Sequence, residues 1–162
     1  MLPQRVATFP LQVAPEKAQL LRFSRFHPRR RRRLTFLGCE LYWMPDRQGV
    51  PRVTRRTARK KLQAACRRIG EWIKQHRHLP GREFFRRLKV RLRGHYHYYG
   101  VRGNFRALTR FCEWAMECTL KWLNRRGGKR KSLTWEQFLQ VLDRVKIARP
   151  SITEVKRRRV YA

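Results

Sequence analysis

The apolar and polar positions along the 162-residue chain follow two periods, and the change between them comes near residue 55. Before that point, short runs of aromatic and branched residues are separated by turn residues, which is the pattern of β-strands. The clearest run, residues 34–43, predicts one strand, and residues 50–54 predict its hairpin partner after a turn at 46–49. Residues 19–23 predict a further short strand.

From residue 57 the apolar positions recur every three or four residues, which predicts four amphipathic helices. Thr57 is predicted to cap the first helix and Asn104 the third. Thr134 with Gln137 predicts a capping box at the start of the fourth. Pro150 is predicted to end the folded part. The predicted limits are 57–78, 80–99 and 104–127 for the first three helices, and the fourth begins after 134.

These patterns predict an α+β fold, in which a small antiparallel β-hairpin region precedes a mainly α-helical bundle. We divide the chain into a β-rich front at 1–55, a helical body at 56–150 and a basic tail at 151–162. The front is marginal on its own, because two or three strands without a covering helix bury little surface. The side chains predicted to be buried are Leu62, Ala65, Cys66, Ile69, Trp72 and Ile73; Phe84, Phe85, Leu88, Leu92, Tyr96 and Tyr99; Phe105, Leu108, Phe111, Cys112, Ala115, Met116, Leu120 and Leu123; and Trp135, Phe138, Leu139, Leu142 and Val145.

The charge of the chain is extreme: 42 Lys and Arg against 10 Asp and Glu give a net charge of +32. A compact body with this charge repels itself, and the usual resolution is a polyanionic partner, most often nucleic acid. A membrane partner is not expected, because no apolar run approaches the length of a spanning helix. The five Trp, five Tyr and nine Phe residues are spread among periodic positions, which predicts a packed core rather than disorder.

The cysteines and histidines do not form a metal-ligand motif. We interpret Cys39, Cys66, Cys112 and Cys118 as buried free thiols of a reducing compartment, which favours the cytoplasm. The two His-x-His pairs lack partners at zinc spacing, so no metal site is predicted. Residues 1–9 hold no extended apolar core, and a signal peptide is therefore not expected.

The carboxylates do not predict catalysis. Nucleotide polymerisation requires clustered carboxylates that hold Mg²⁺ beside the substrate phosphates. The two aspartates, Asp46 and Asp143, belong to different predicted segments. Glu113 and Glu117 lie four residues apart on a predicted helix, where we interpret them as a solvated or ion-paired face. We predict no catalytic site and no cofactor for this chain.

An ordered set of motifs runs through the sequence. In chain order they are PEK at 15–17 within the segment 11–23, FLG at 36–38 before a hairpin, RRTAR at 55–59, RGHYHYYG at 93–100, KWLNRR at 121–126 and WEQF at 135–138. In this order they resemble the C-terminal part of group II intron-encoded reverse transcriptases, the intron maturases. Pro10 and Ala18 depart from the Gly and Thr usual in that family.

The resemblance implies that 1–55 is the end of a palm and that 56–150 is the thumb, also called maturase domain X. It implies binding of group II intron RNA, or of a primer–template duplex, in support of splicing or retrohoming. The family's fingers and catalytic Tyr-Ala-Asp-Asp motif are expected upstream, and nothing resembling its zinc-dependent endonuclease follows Tyr161. Mg²⁺ therefore belongs to the complete enzyme, and the chain alone is not expected to polymerise.

We expect RNA to contact the basic first helix and the stretch at 91–104, because arginine pairs with phosphate and aromatic rings stack on bases. The same stretch is also consistent with a helix end whose rings pack inward and whose arginines are solvated. Gly94, inside the second helix, suggests close packing or the approach of a ligand. The candidate RNA-binding residues are Arg55, Arg56, Arg59, Lys60, Lys61, Arg67, Arg68, Arg91, Arg93, His95, Tyr98, Arg102, Asn104, Arg106, Arg125 and Arg126.

Two other functions fit the sequence. The chain could be the C-terminal subunit of a split RNA-directed DNA polymerase, completing a palm carried by a separate upstream chain with fingers and palm. Its unpaired strands would then form the interface. Alternatively, it could be a free-standing basic structural RNA-binding protein, for which the same charge is expected.

Overall fold

The computed structural model describes residues 23, 24, 26, 33–126 and 132–154. These residues form a three-stranded antiparallel sheet followed by four helices, which confirms the predicted α+β fold. The strands, in their spatial order, are β1 (Leu34–Phe36), β2 (Cys39–Pro45) and β3 (Pro51–Thr57). The helices are α1 (Arg59–His76), α2 (Gly81–Tyr99), α3 (Phe105–Asn124) and α4 (Trp135–Arg144).

The run at 34–43 forms two strands, so the prediction of a single strand is wrong. Phe36 pairs with Cys39, and Leu37 and Gly38 form a two-residue turn between β1 and β2. Both turn residues have positive φ, 46° for Leu37 and 78° for Gly38. The tightest hairpin turns require this conformation. The apolar run conceals the turn, because a leucine rarely adopts positive φ.

The starts of the helices match the prediction in part. Thr57 is the last residue of β3, and the N-cap position of α1 belongs to Ala58, which offers no side-chain acceptor. Asn104 precedes α3 as predicted, but its side chain does not cap that helix. The capping box of α4 is confirmed: Thr134 Oγ1 accepts from the backbone N–H of Gln137 at 3.3 Å. The backbone N–H of Thr134 donates to Gln137 Oε1 at 3.1 Å.

The core lies among the helices and is built from the predicted apolar faces. Three predicted core residues are instead about half exposed: Phe105 at 51%, Trp135 at 46% and Leu139 at 47%. Phe105 and Trp135 are the first residues of their helices, where fewer neighbours cover a side chain. The large side chains with essentially no exposed surface are Ile73, Phe84, Leu88, Leu92, Leu108 and Phe138.

The chain beyond α4 returns to the α2–α3 loop, so Pro150 does not end the folded part as predicted. The backbone N–H groups of Thr153 and Glu154 both donate to the carbonyl of Gly100, at 2.9 and 3.0 Å. The Glu154 carboxylate accepts from the backbone N–H of Arg102 at 2.9 Å and pairs with the guanidinium of Arg55. The bond from Arg102, followed by the pairing with Arg55, lowers the pKa of Glu154.

Some predictions concern residues outside those described. They include the motif at 11–17, the basic residues 29–32, the glycines at 127–128 and the tail after 154. Of the strand predicted at 19–23, only Phe23 is described; it lies outside regular secondary structure, with its ring centroid 5.3 Å from that of Trp43. In the described part of the chain, every helix is too short or too polar to cross a membrane.

Candidate nucleic-acid interface

An open cleft of about 730 Å³ lies between α1 and α2 and is also lined by the β1–β2 turn. We call it the α1–α2 cleft. Lys61 and Arg68 reach it from α1, and Arg91, His95 and Tyr98 reach it from α2. Its apolar lining is supplied by Ala64, Ala65, Ile69, Trp72, Tyr99 and Phe111.

Three basic side chains line the cleft. Lys61 and Arg68 are seven residues apart on α1, about two turns, and therefore lie on the same face. The guanidinium carbon of Arg91 lies 4.6 Å from the ring centroid of Trp72, a cation–π contact that holds it against the cleft. Among the residues that the structure describes, none of these three forms an ion pair with a carboxylate. The cleft therefore carries uncompensated positive charge.

His95 lies beside these charges in its neutral form. Its ring stacks on Phe111, with centroids 3.6 Å apart and planes 14° apart. Its Nε2 atom is buried and has no hydrogen-bond partner within the described residues. Burial and, to a smaller degree, the charge of Arg68 lower the pKa of His95 to about 4. At neutral pH the imidazole therefore adds no charge to the cleft.

Tyr98 joins the β1–β2 turn to α2 and leaves a ring exposed. Its hydroxyl donates to the backbone carbonyl of Leu37 at 3.2 Å. The residue is 62% exposed, and its ring meets the ring of Tyr99 edge-on, at 4.6 Å between centroids. A fixed, exposed aromatic ring beside positive charges is the arrangement on which nucleic-acid bases stack.

The structure distributes the predicted RNA-binding residues over several surfaces. The α1–α2 cleft brings together Lys61, Arg68, Arg91, His95 and Tyr98. Two more, Arg59 and Arg67, line a second groove on the other side of α1. The guanidinium of Arg126 donates to the carbonyl of Leu79 at 2.8 Å. The exposed residues Lys60, Arg93, Arg102, Arg106 and Arg125 line neither groove.

Three predicted RNA contacts take part in the internal structure instead. Asn104 is 1% exposed, so its prediction as an RNA contact is wrong. Its side chain turns inward, where it bonds Thr57 at the end of β3 and the carbonyl of Tyr99. Arg56 pairs with Glu40 at 2.8 Å, and Arg55 pairs with Glu154. These arginines compensate carboxylates of the chain itself, which leaves them less available to a phosphate.

Four further residues line the cleft that were not predicted as site residues: Leu37, Gly38, Trp72 and Phe111. Trp72 and Phe111 were predicted as core, and both are buried. Their contribution to the cleft depends on how α1, α2 and α3 pack, which local spacing does not reveal. Gly38 did carry a signal, because a glycine inside an apolar run commonly marks a turn or bulge.

The glycine that packs closely is Gly100 rather than Gly94. A methyl group added at Gly94 would meet nothing within 4 Å, so the predicted close packing there is wrong. At Gly100 the same methyl group would lie 2.3 Å from the carbonyl of Tyr96 and 2.4 Å from Oγ1 of Thr153. The motif at 93–100 therefore ends at a site of close backbone contact.

Within the described residues, no group of three His, Cys, Asp or Glu side chains is placed to hold a metal ion. Asp46 pairs with Arg52 in the β2–β3 hairpin, and Asp143 lies in α4. Comparisons of the chain with protein-family models, with curated proteins and with solved structures found no match.

Proposed function

We propose that the chain binds structured RNA through the α1–α2 cleft, as the thumb/maturase part of a group II intron reverse transcriptase. Its partner is the intron's own RNA, whose active fold it stabilises in splicing or retrohoming, or a primer–template duplex held by the same surface. We assign this activity to the cytoplasm. We expect no polymerase activity from the chain alone, and primer extension with Mg²⁺ tests that expectation.

The observation that carries the proposal is the combination of groups in the cleft. Lys61, Arg68 and Arg91 supply positive charge without a carboxylate partner among the described residues. Tyr98 supplies an exposed aromatic side chain, and His95 lines the cleft in its neutral form. Structured RNA is recognised through phosphates, 2′-hydroxyls and unstacked bases. The three cations match the phosphates, and Tyr98 matches an unstacked base.

The test is the affinity of the purified chain for a group II intron RNA at fixed salt. In the variant K61A/R68A/R91A we expect affinity to fall by about tenfold or more, because charge-assisted hydrogen bonds are the stronger ones. The control R47A/R82A/R144A removes the same charge from exposed positions that line neither groove. Equal losses in both variants would contradict binding at the cleft.

A second RNA of equal length, taken from a ribosome, tests the assignment to introns. A maturase fragment binds the intron RNA more tightly than the ribosomal RNA at matched salt. A general structural RNA-binding protein binds both alike, and that result would support the free-standing alternative.

The exposed sheet favours the split-polymerase alternative as a second candidate. Phe36 in β1 is 60% exposed, Val53 in β3 is 47% exposed and Val50 in the β2–β3 turn is 50% exposed, so the hairpin region presents apolar side chains to solvent. In a split enzyme, the partner chain would cover these side chains as part of a contiguous apolar interface. The test mixes the chain with a separate chain that carries fingers and palm, and measures primer extension. Stimulation that is lost in V53D supports a split enzyme, whereas no stimulation rejects it.

A further inference from the structure

A second groove, of about 620 Å³, lies between α1 and α3. We call it the α1–α3 groove. It is separate from the α1–α2 cleft, because its α1 residues lie on the opposite side of that helix. Lys61 and Arg68 face the cleft, whereas Arg59, Arg67 and Lys74 face the groove. At about 100° per residue, these two sets point away from each other.

Four cations surround the ring of Trp122, which lines this groove. Lys74 also lines the groove, and the other three cations lie beside it. Measured to the ring centroid of Trp122, the four are Arg77 at 5.0 Å, Arg125 at 5.4 Å, Lys74 at 5.5 Å and Lys121 at 5.8 Å. Ring contacts favour each cation by a modest amount, but the four positive charges repel one another. In the described part of the chain none of them is in an ion pair, although Glu71 lines the groove. An anionic ligand would relieve this repulsion.

Trp114 supplies a second feature of the same groove. Its Nε1 donates to the carbonyl of Cys66 at 2.9 Å, which fixes the indole against α1. The residue is nevertheless 45% exposed. Trp114 and Trp122 are eight residues apart on α3, or about 12 Å along the helix axis. At about 3.4 Å per stacked nucleotide, this distance corresponds to three or four nucleotides.

We propose that the α1–α3 groove binds a single-stranded RNA segment, with a base stacked on Trp114 and the backbone phosphates among the cations around Trp122. An aromatic platform in a positively charged groove is the general arrangement for single strands. The inference goes beyond the cleft and rests on the proposed function, since it takes the strand to be part of the same RNA. One RNA would then contact both sides of α1, as a structured region in the cleft and an unpaired segment in the groove.

The test uses a 12-nucleotide oligouridine, which has no stable secondary structure, and measures its affinity by fluorescence anisotropy at low salt. In W114L we expect the affinity to fall about 5- to 150-fold, the range for loss of one base–aromatic stack. The matched control is W135L, because Trp135 is 46% exposed and lies in α4, outside the groove. We expect W135L to bind as the wild type does.

A second variant makes the test independent of tryptophan packing. K121Q/R125Q removes two exposed cations near Trp122, and we expect it to weaken oligouridine binding more than R47Q/R144Q does. Equal effects of W114L and W135L, equal effects of the two charge variants, or no oligouridine binding at low salt would each overturn the proposal. If K121Q/R125Q weakens oligouridine binding but W114L does not, the groove is a patch that only attracts anions, and the proposal is also overturned.

The two proposals fail separately. If K61A/R68A/R91A binds intron RNA as the wild type does while W114L loses oligouridine binding, the cleft assignment fails and the groove assignment stands. If the cleft variant loses intron RNA and W114L keeps its affinity for oligouridine, the groove assignment fails alone.

Discussion

At the scale of single residues, Asn104 connects three parts of the fold. Its Nδ2 donates to Oγ1 of Thr57 and to the carbonyl of Tyr99, both at 2.8 Å. Its Oδ1 accepts from the backbone N–H of Thr57, also at 2.8 Å. This one buried amide therefore holds the end of β3 and the end of α2 to the start of α3.

Replacing Asn104 with alanine leaves these buried groups without partners. We expect N104A to lower the free energy of unfolding by about 2–3 kcal/mol, because each unsatisfied buried group carries a desolvation penalty. Urea denaturation measures the change. The control is N124A, whose amide bonds to Leu133 are exposed, so water can replace them and we expect a loss of less than about 1 kcal/mol. Equal losses would show that the Asn104 contacts contribute no more than exposed ones.

His95 makes stability depend on pH. Its pKa in the folded chain is about 4, below the usual value near 6.5, so the unfolded chain binds a proton first as pH falls. We therefore expect the free energy of unfolding to decrease as pH falls from about 6.5 toward 4. Carboxylates with a lowered pKa, such as Glu83 at about 2, also lower the free energy of unfolding when they are protonated, but mainly below this pH range.

The variant H95F isolates the contribution of the imidazole, because phenylalanine keeps the stack on Phe111 but does not titrate. We expect its unfolding free energy to change less than that of the wild type between pH 6.5 and 4. Parallel curves for the two proteins would contradict the lowered pKa of His95.

Side-chain burial could be predicted well from helical spacing, and poorly at helix ends. Spacing identified Phe84, Leu88 and Leu92 as core, and each has essentially no exposed surface. It also placed Phe105 and Trp135 in the core, where the structure exposes about half of each. The helical spacing of apolar residues does not show that a side chain in the first turn of a helix has fewer neighbours to cover it.

At the scale of elements, packing does not require Gly94 in the interior of α2, but it does require Gly100, just beyond the end of that helix. We expect G94A to raise the unfolding free energy by about 1 kcal/mol, since alanine favours helix and the added methyl meets nothing within 4 Å. We expect G100A to lower it, because the methyl would overlap the carbonyl of Tyr96 and the side chain of Thr153. Thermal denaturation of both variants measures the difference. A destabilised G94A or an unchanged G100A would contradict the described packing.

The elements themselves were largely predictable, except where distant segments decide the outcome. The limits of α2 and the capping box of α4 follow from local sequence, and both are confirmed. The β1–β2 turn was missed because Leu37 is an uncommon turn residue. The return of residues 151–154 was missed because it depends on bonds to Gly100, Arg102 and Arg55. Sequence spacing contains no signal for such long-range contacts.

At the scale of the whole molecule, the sequence predicted a basic first helix, and the structure divides the basic residues of that helix between two surfaces. Neighbouring residues on a helix point about 100° apart, so the adjacent Arg67 and Arg68 face different sides of α1. The identities of the basic residues could be read from the sequence. Their division between a cleft and a groove could not, because it depends on the positions of α2 and α3 around α1.

The salt dependence of RNA binding tests the central claim, that cations in the α1–α2 cleft contact RNA phosphates. With about 8 phosphates engaged, log K of association should fall against log salt with a slope of about −6 to −7. In K61A/R68A/R91A the slope should become shallower by about 2 to 3, because three contacts are removed. A slope near zero for the wild type, or the same slope for both proteins, would contradict the account.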